Sequence, residues 1–218
     1  MIATVLFDLD GTLLDSLGDL AAAVNNAMSG LSFPLRTRDE VRSFIGNGVP
    51  TLIRRSLPPY ADDVVHQKAV ALFTEYYMKH VSDLTTPFPG IRSLLADLRE
   101  RRINIGIVSN KKDEATKLVC SKLLGGLYDY AAGARSEQER KPAPDMVFAA
   151  MEYFGASAES TLYIGDSEVD IAVAKNAGLD CVSVLWGYRS KAELLQADGR
   201  IFAESPEALG EIILTLRE

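Results

Sequence analysis

The chain has 218 residues, 47% of them hydrophobic, which is enough for a sizeable folded core. Its formal net charge of −7 argues against nucleic acid and anionic membrane as partners, because a negative field repels both. Two cysteines in no metal-type spacing and only two histidines argue against a histidine metal site and a Ser-His-Asp triad. Without a long apolar run or a basic leader segment, we expect a soluble, cytoplasmic protein.

The first predicted element is a buried strand over residues 3–7 that ends in two closely spaced carboxylates. Residues i and i+2 of an extended chain point the same way, so Asp8 and Asp10 face one site at the strand's carboxyl end. Two carboxylates about 4 Å apart repel by about 4 kcal/mol at an effective dielectric of 20, which predicts a cation or proton between them. Gly11 permits a tight turn, and Thr12 offers a hydroxyl and an N–H to an anion. The alternative to a functional site is an ordinary strand that ends in a polar turn.

A helical stretch follows, from residue 16 to about residue 82, with no convincing strand. Thr37 and Glu40 have the spacing of a capping box, and Gly46-Asn47-Gly48 separates two helices. The expected helices cover residues 17–28, a short segment after Thr37, 49–57 and 62–80, and a linker follows at 85–90.

Strands and helices alternate through the rest of the chain, a pattern typical of parallel βαβ units with right-handed crossovers. Strands are expected at 103–108, 128–133, 161–164, 181–186 and 200–202, and helices at 91–102, 112–124, 143–154, 169–177 and 206–216. The predicted fold is α/β, with a Rossmann-like parallel sheet core built from residues 1–15 and 86–218. Residues 16–85 form a helical domain inserted after the first strand, where it can overhang the strand ends.

Three further polar signals follow core strands. Ser109 comes before a helix and can donate to an anion there, although a plain N-cap fits equally well. Lys141 precedes Pro142, which suits a helix start, and a solvated lysine is its alternative. Asp166 lies at a strand tip, and Asp170 lies one helical turn further on the same side. Two other charged residues near these signals, Arg140 and Glu168, are expected to be solvated.

These segments resemble, in order, the four motifs of the haloacid dehalogenase superfamily in its phosphatase branch, whose core carries an inserted α-helical cap domain. The matching segments are Asp8-Leu9-Asp10-Gly11-Thr12-Leu13, Ser109-Asn110-Lys111, Lys141-Pro142, and Gly165-Asp166-Ser167-Glu168-Val169-Asp170. The phosphoglycolate phosphatase group is the most similar, through Phe44-Ile45-Gly46-Asn47-Gly48-Val49-Pro50, Arg54-Arg55 and Trp186-Gly187-Tyr188.

The resemblance implies a Mg²⁺-dependent phosphatase that forms an aspartyl-phosphate. It makes Asp8 the nucleophile and Asp10 the general acid and base, with Ser109 and Lys141 holding the phosphoryl group. The metal ligands implied are Asp8, Asp10, Asp166 and Asp170, the last acting directly or as an orienting group. The substrate-binding residues implied are Gly11, Thr12, Gly46, Asn47, Gly48 and Asn110.

The expected partner is a small phosphorylated metabolite, with 2-phosphoglycolate as the first choice. The alternatives are a sugar-phosphate phosphatase, a pyrophosphatase or a phosphomutase on the same core, and a non-catalytic phosphoryl-binding protein. Arg54 and Arg55 have no assigned role, and oligomeric state cannot be read from the residues.

Overall fold

The structure, a computed structural model, describes residues 1–216 and contains two compact units. One consists of residues 1–15 and the chain from Pro87 onward, and the other of residues 16–86. We call them the sheet unit and the helical unit.

The strands are β1 (Thr4–Phe7), β2 (Leu14–Asp15), β3 (Thr86–Pro87), β4 (Asn104–Lys112), β5 (Tyr130–Ala134), β6 (Thr161–Gly165), β7 (Asp180–Val184) and β8 (Ile201–Ala203). The helices are α1 (Leu17–Gly30), α2 (Arg38–Phe44), α3 (Gly48–Ser56), α4 (Asp63–His80), α5 (Ile91–Glu100), α6 (Asp113–Leu124), α7 (Asp145–Phe154), α8 (Glu168–Ala177), α9 (Lys191–Gln196) and α10 (Pro206–Thr215).

Six strands of the sheet unit form one parallel sheet in the order β5-β4-β1-β6-β7-β8, which confirms the predicted α/β fold. All four residues of β1 are buried between β4 and β6, as expected for the centre of a parallel sheet covered on both faces. Thr4 is in register with Asn104 on one side and Thr161 on the other. The carboxyl ends of three strands distant in sequence therefore lie side by side.

Polar contacts help to hold the helical unit together. The Thr37–Glu40 capping box is present at the start of α2, as predicted, and the hydrogen bonds from Thr37 lower the pKa of Glu40. The buried Asp19 carboxylate accepts hydrogen bonds from the backbone N–H groups of Leu84 and Thr85 and from the Thr85 hydroxyl. These bonds fix the end of the helical unit against its first helix.

The loop between α2 and α3 depends on glycine. Gly46 and Gly48 have φ angles of +125° and +78°, in the region that L side chains rarely adopt. Asn47 lies between them and precedes the first residue of α3. In the same unit Arg54 contacts the Ala61 carbonyl and the Asp63 carboxylate, while Arg55 donates to the Phe44 carbonyl.

Four elements differ from the sequence prediction. Strand β4 continues through Lys112, although the polar residues after Val108 suggested a turn there. Helix α9 was not predicted, and neither were the two-residue strands β2 and β3. Among residues 1–216, no helix is both long and apolar enough to cross a membrane.

Candidate active site

Three buried carboxylates meet at the carboxyl edge of the sheet. Asp8 follows β1, Asp166 follows β6, and Asp170 lies in the first turn of α8. Each offers an oxygen, and these oxygens lie within 4.8 Å of one another. Since β1 and β6 are parallel neighbours, the sequence positions just after them are adjacent in space.

Lys141 supplies a positive charge to this group. Its Nζ lies 2.8 Å from Asp8 Oδ1 and 2.7 Å from Asp170 Oδ1, and it donates to the Tyr163 hydroxyl oxygen at 3.1 Å. The lysine is 4% exposed, so the interpretation of a solvated lysine is wrong. Burial alone would lower the pKa of Lys141, but the charges of Asp170 and Asp8 outweigh it and raise the pKa well above its usual value.

The carboxylates carry more negative charge than one lysine neutralises. Burial, then the charge of Asp170, raises the pKa of Asp8 from 3.8 to about 7, although Lys141 opposes the shift. Burial and the charges of Asp170 and Asp8 likewise raise the pKa of Asp166 well above its usual value. A cluster of this kind favours a proton or a hard cation among its oxygens.

Asp166 lies in a close-fitting cradle. The Thr12 hydroxyl donates to its Oδ1 at 3.1 Å, and the Tyr188 N–H donates to its Oδ2 at 2.7 Å. A Cβ at Gly11 would lie 2.4 Å from the carboxylate, and one at Gly187 would lie 2.2 Å from Asp166 Cβ. Both glycines are therefore needed for the backbone to approach this side chain.

Asp170 ties the start of α8 to Lys141. Its Oδ2 accepts from the Ser167 hydroxyl at 2.6 Å and from the backbone N–H groups of Ser167 and Asp166, at 3.1 and 3.2 Å. Its Oδ1 accepts from the lysine. Both oxygens are thus hydrogen-bonded, an arrangement that suits the orienting role left open above.

Ser109 and Asn110 lie inside strand β4 rather than at a helix start. The N-cap of α6 is Lys112, so the interpretation of Ser109 as a plain N-cap is wrong. The Asn110 amide donates to the Lys141 carbonyl at 3.0 Å, and its Oδ1 accepts from the Lys141 N–H at 2.7 Å. This pair of bonds fixes the backbone that carries the lysine.

The Asp10 carboxylate has a different neighbour. Its Oδ2 lies 2.8 Å from Nζ of Lys111, and it is not part of the group formed by Asp8, Asp166 and Asp170. Three of the four carboxylates expected to converge therefore form one group, while the fourth pairs with a second buried lysine and its charge contributes to the raised pKa of Asp8.

A family model described as haloacid dehalogenase-like hydrolase matches residues 5–184 of the chain. The chain belongs to this family. The match covers all four polar signals of the sheet unit, from Asp8 to Asp170.

Named relatives of this haloacid dehalogenase-like hydrolase agree with one another. A phosphoglycolate phosphatase of Pseudomonas syringae pv. syringae is 34% identical over 191 residues, which are 84% of this chain and 70% of the relative. One from Aquifex aeolicus is 34% identical over 185 residues, 84% of this chain and 85% of the relative. A solved structure of a candidate phosphoglycolate phosphatase from Lactobacillus delbrueckii subsp. bulgaricus is 31% identical. It has a TM-score of 0.92 and covers 97% of this chain and 98% of that one. The chain is thus a phosphoric monoester hydrolase of phosphoglycolate phosphatase type.

The predicted site residues of this haloacid dehalogenase-like hydrolase fall into two sets. Asp8, Asp10, Gly11, Thr12, Ser109, Asn110, Lys141, Asp166 and Asp170 all belong to the sheet unit. Gly46, Asn47 and Gly48 belong to the helical unit, as do Arg54 and Arg55.

Four of the residues described above contact predicted site residues and were not themselves predicted. They are Lys111, Tyr163, Ser167 and Tyr188, whose contacts are given above. The Glu168 side chain is 42% exposed, as expected, and its carboxylate also accepts from the buried Arg189 guanidinium at 2.8 Å. Arg140 was also expected to be solvated, but its side chain is 15% exposed and pairs with Glu137.

Proposed function

We propose that the protein hydrolyses a small phosphate monoester, with 2-phosphoglycolate as its substrate, through an aspartyl-phosphate on Asp8. The observation that carries the proposal is the buried group of Asp8, Asp166, Asp170 and Lys141 at the carboxyl edge of the sheet. The phosphoglycolate phosphatase relatives support the choice of ester.

Each residue then has a defined task. Asp8 attacks phosphorus, a phosphorus–oxygen bond to the leaving alcohol breaks, and Asp10 gives that oxygen a proton. Water then attacks phosphorus, the bond between phosphorus and the Asp8 oxygen breaks, and Asp10 takes a proton from that water as phosphate leaves. Ser109 and Lys141 bind the phosphoryl oxygens, where they offset the charge that develops.

The donor set fits Mg²⁺. All the side-chain donors are carboxylate oxygens, and three buried carboxylates face one lysine, which leaves two negative charges uncompensated. Hard oxygen ligands of this kind suit Mg²⁺. We propose that Asp8 and Asp166 hold the ion and that Asp170 orients them, while the Asp10 side chain pairs with Lys111 and keeps its acid–base role. When bound, Mg²⁺ supplies positive charge to the phosphoryl oxygens.

The metal assignment is tested by removing the ion. Protein treated with a chelator should release no phosphate from 2-phosphoglycolate, and added Mg²⁺ should restore the activity. Asp166→Ala should need a much higher Mg²⁺ concentration, since one carboxylate of the set is lost. Full activity in chelator would refute the metal proposal.

The choice of ester is tested by a panel of phosphate esters assayed with Mg²⁺ for released phosphate. The panel should contain sugar phosphates and pyrophosphate as well as 2-phosphoglycolate. The proposal requires 2-phosphoglycolate to be among the best substrates, and an isomerised ester in place of free phosphate would identify a mutase.

We further propose that the two units are a catalytic core and a substrate-selecting cap, with Gly46-Asn47-Gly48 as the selecting loop. The site residues of the sheet unit bind the phosphoryl group, which every candidate ester shares. Discrimination between esters must therefore come from residues that contact the rest of the substrate.

Asn47→Ala should therefore lower kcat/KM for 2-phosphoglycolate by about 10-fold while changing that for p-nitrophenyl phosphate much less. Asn26→Ala, another asparagine of the helical unit, is the control and should leave both values unchanged. An equal loss of kcat/KM with both esters would mean that Asn47 does not distinguish one substrate from the other.

A further inference from the structure

A second buried lysine adjoins the site and has no part in the mechanism above. Lys111 Nζ lies 2.8 Å from Asp10 Oδ2, and the side chains of Lys111 and Asp10 are only 5% and 15% exposed. Both belong to the sheet unit. A surface ion pair would contribute little, but one so far removed from water has a fixed geometry.

The backbone is shaped to present this lysine. The consecutive β5 residues Gly133 and Ala134 pair with Ser109 and Lys112 of β4, so β4 carries two extra residues at this point. A bulge of this kind bends a strand and changes the direction of its side chains. Lys111 is one of the two extra residues.

The bulge is supported from the neighbouring elements. The Thr116 hydroxyl of α6 donates to the Lys111 carbonyl oxygen at 3.3 Å. A Cβ at Gly133 would lie 2.4 Å from that carbonyl oxygen, so only glycine allows β5 to approach so closely. Local structure on two sides thus determines where Lys111 lies.

The chemistry of the pair assigns different tasks to the two oxygens of Asp10. An ammonium group has donors and no acceptor, so the oxygen that it contacts can only accept. This holds whether the Asp10 carboxyl group is ionised or protonated. In a protonated carboxyl group the carbonyl-type oxygen is the stronger acceptor, so the ammonium at Oδ2 favours the proton on Oδ1, and the contact at Oδ2 sets the direction in which Oδ1 points.

We propose that Lys111 is a positioning residue that holds Asp10 with Oδ1 directed to the leaving-group oxygen. The inference rests on the proposed function, in which the phosphorus–oxygen bond breaks as the Asp10 proton goes to the leaving alcohol. An alkoxide is a poor leaving group and needs that proton, whereas dinitrophenolate is stable without it. Losing Lys111 should therefore harm alkyl esters selectively.

The test compares kcat/KM for 2-phosphoglycolate and 2,4-dinitrophenyl phosphate in wild type and Lys111→Met. This quantity reports the steps through phosphoryl transfer to Asp8, so the later hydrolysis does not obscure the comparison. General acid–base catalysis contributes about 10²- to 10⁴-fold, so we expect a loss of about 10- to 100-fold for the alkyl ester. The aryl ester should change by no more than about threefold. Lys111→Arg, which keeps a charged donor, should recover most of the loss.

The neighbouring Lys112→Met is the matched control, because Lys112 is exposed and carries the same charge. It should leave both values unchanged. Circular dichroism establishes that each variant is folded, and Lys111→Gln provides the same comparison if Lys111→Met does not fold. In an Asp10→Asn background, Lys111→Met should cause no further loss with the alkyl ester.

Two failures can be told apart. If wild type releases phosphate from neither ester, the proposed function and the proposed role of Lys111 are both refuted. If wild type is active and Lys111→Met lowers kcat/KM equally for both esters, or changes neither, only the positioning role of Lys111 is overturned. The same holds if Lys111→Met is equally harmful with and without Asp10.

Discussion

Asp8→Asn is expected to abolish turnover and, at the same time, to stabilise the metal-free protein. Asparagine nearly matches aspartate in shape but is a poor nucleophile, so phosphate release should fall by at least about 1,000-fold. The stability gain follows from the surroundings of Asp8, which lies near Asp166 and Asp170 with one shared lysine. Removing one of three crowded negative charges relieves that repulsion.

The stability gain of Asp8→Asn over wild type should increase as the pH rises. The pKa of Asp8 is raised from 3.8 to about 7, so between these values the folded chain keeps a proton that the unfolded chain releases. The free energy of unfolding of the wild type therefore falls as pH rises from about 4 to about 7. Asp8→Asn lacks this titration, so its advantage should be largest at pH 8, at a few kcal/mol, and small near pH 4.

The measurement is urea unfolding of chelated protein at pH 4, 6 and 8, together with a phosphate-release assay in Mg²⁺. Asp97→Asn is the matched control, since Asp97 is exposed on α5 and should change neither quantity by much. More than a tenth of the wild-type rate in Asp8→Asn would rule out the covalent route. Equal stability of Asp8→Asn and wild type at pH 8 would rule out the crowding of charge.

Lys141→Met should lose both activity and stability. The lysine is the cation shared by Asp8 and Asp170, and its ammonium also donates to Tyr163. Removing one partner of a buried ion pair leaves uncompensated charge, which typically costs 3–5 kcal/mol. Phosphate release should become undetectable, because the phosphoryl oxygens lose a positive charge at the same time.

A second substitution makes this prediction sharper. Lys141→Met combined with Asp170→Asn should unfold at a higher urea concentration than Lys141→Met alone at pH 8, because a negative charge has been removed along with the positive one. Lys175→Met, an exposed lysine on α8, is the control and should be as stable as wild type. A stable Lys141→Met variant would show that the three carboxylates do not depend on this lysine.

The carboxylates were predictable from local pattern together with parallel-sheet geometry. A buried run followed by Asp8 and Asp10 indicates a strand end, and the position of Asp166 after another apolar run indicates a second. Parallel strands have their carboxyl ends on one edge, so both carboxylates were expected at that edge. Their close approach also requires β1 and β6 to be neighbours, which the local pattern does not give and the family resemblance implied.

Residues whose position depends on pairing between distant strands were not predictable. Nothing near Lys111 in sequence indicates a bulge, because the extra residues of β4 are defined only by their mismatch with β5. The same reason explains why β4 was predicted to end at Val108. The ion pair of Glu168 with Arg189 was not predicted either, because the two residues are 21 positions apart in the sequence.

The sequence does contain a local signal for helix α9, which was not predicted. Ser190 and Glu193 have the spacing of a capping box, and both of its reciprocal hydrogen bonds are formed at the start of α9. The segment was not recognised because α9 is only six residues long and has too few turns to display a periodic apolar face.

The pairing of β1 with β4 and β6 also determines when the protein can become active as it folds. Thr4 bonds to Asn104 across 100 positions, and Thr12 bonds to Asp166 across 154. Contacts between residues so distant in sequence form late and slowly, because a long loop must close before any of them stabilises the chain. Asp8 precedes β4 and β6 in the chain, so it gains its neighbours from them only after β6 has been synthesised and has paired with β1. A partly synthesised or partly folded chain therefore has no assembled phosphatase site.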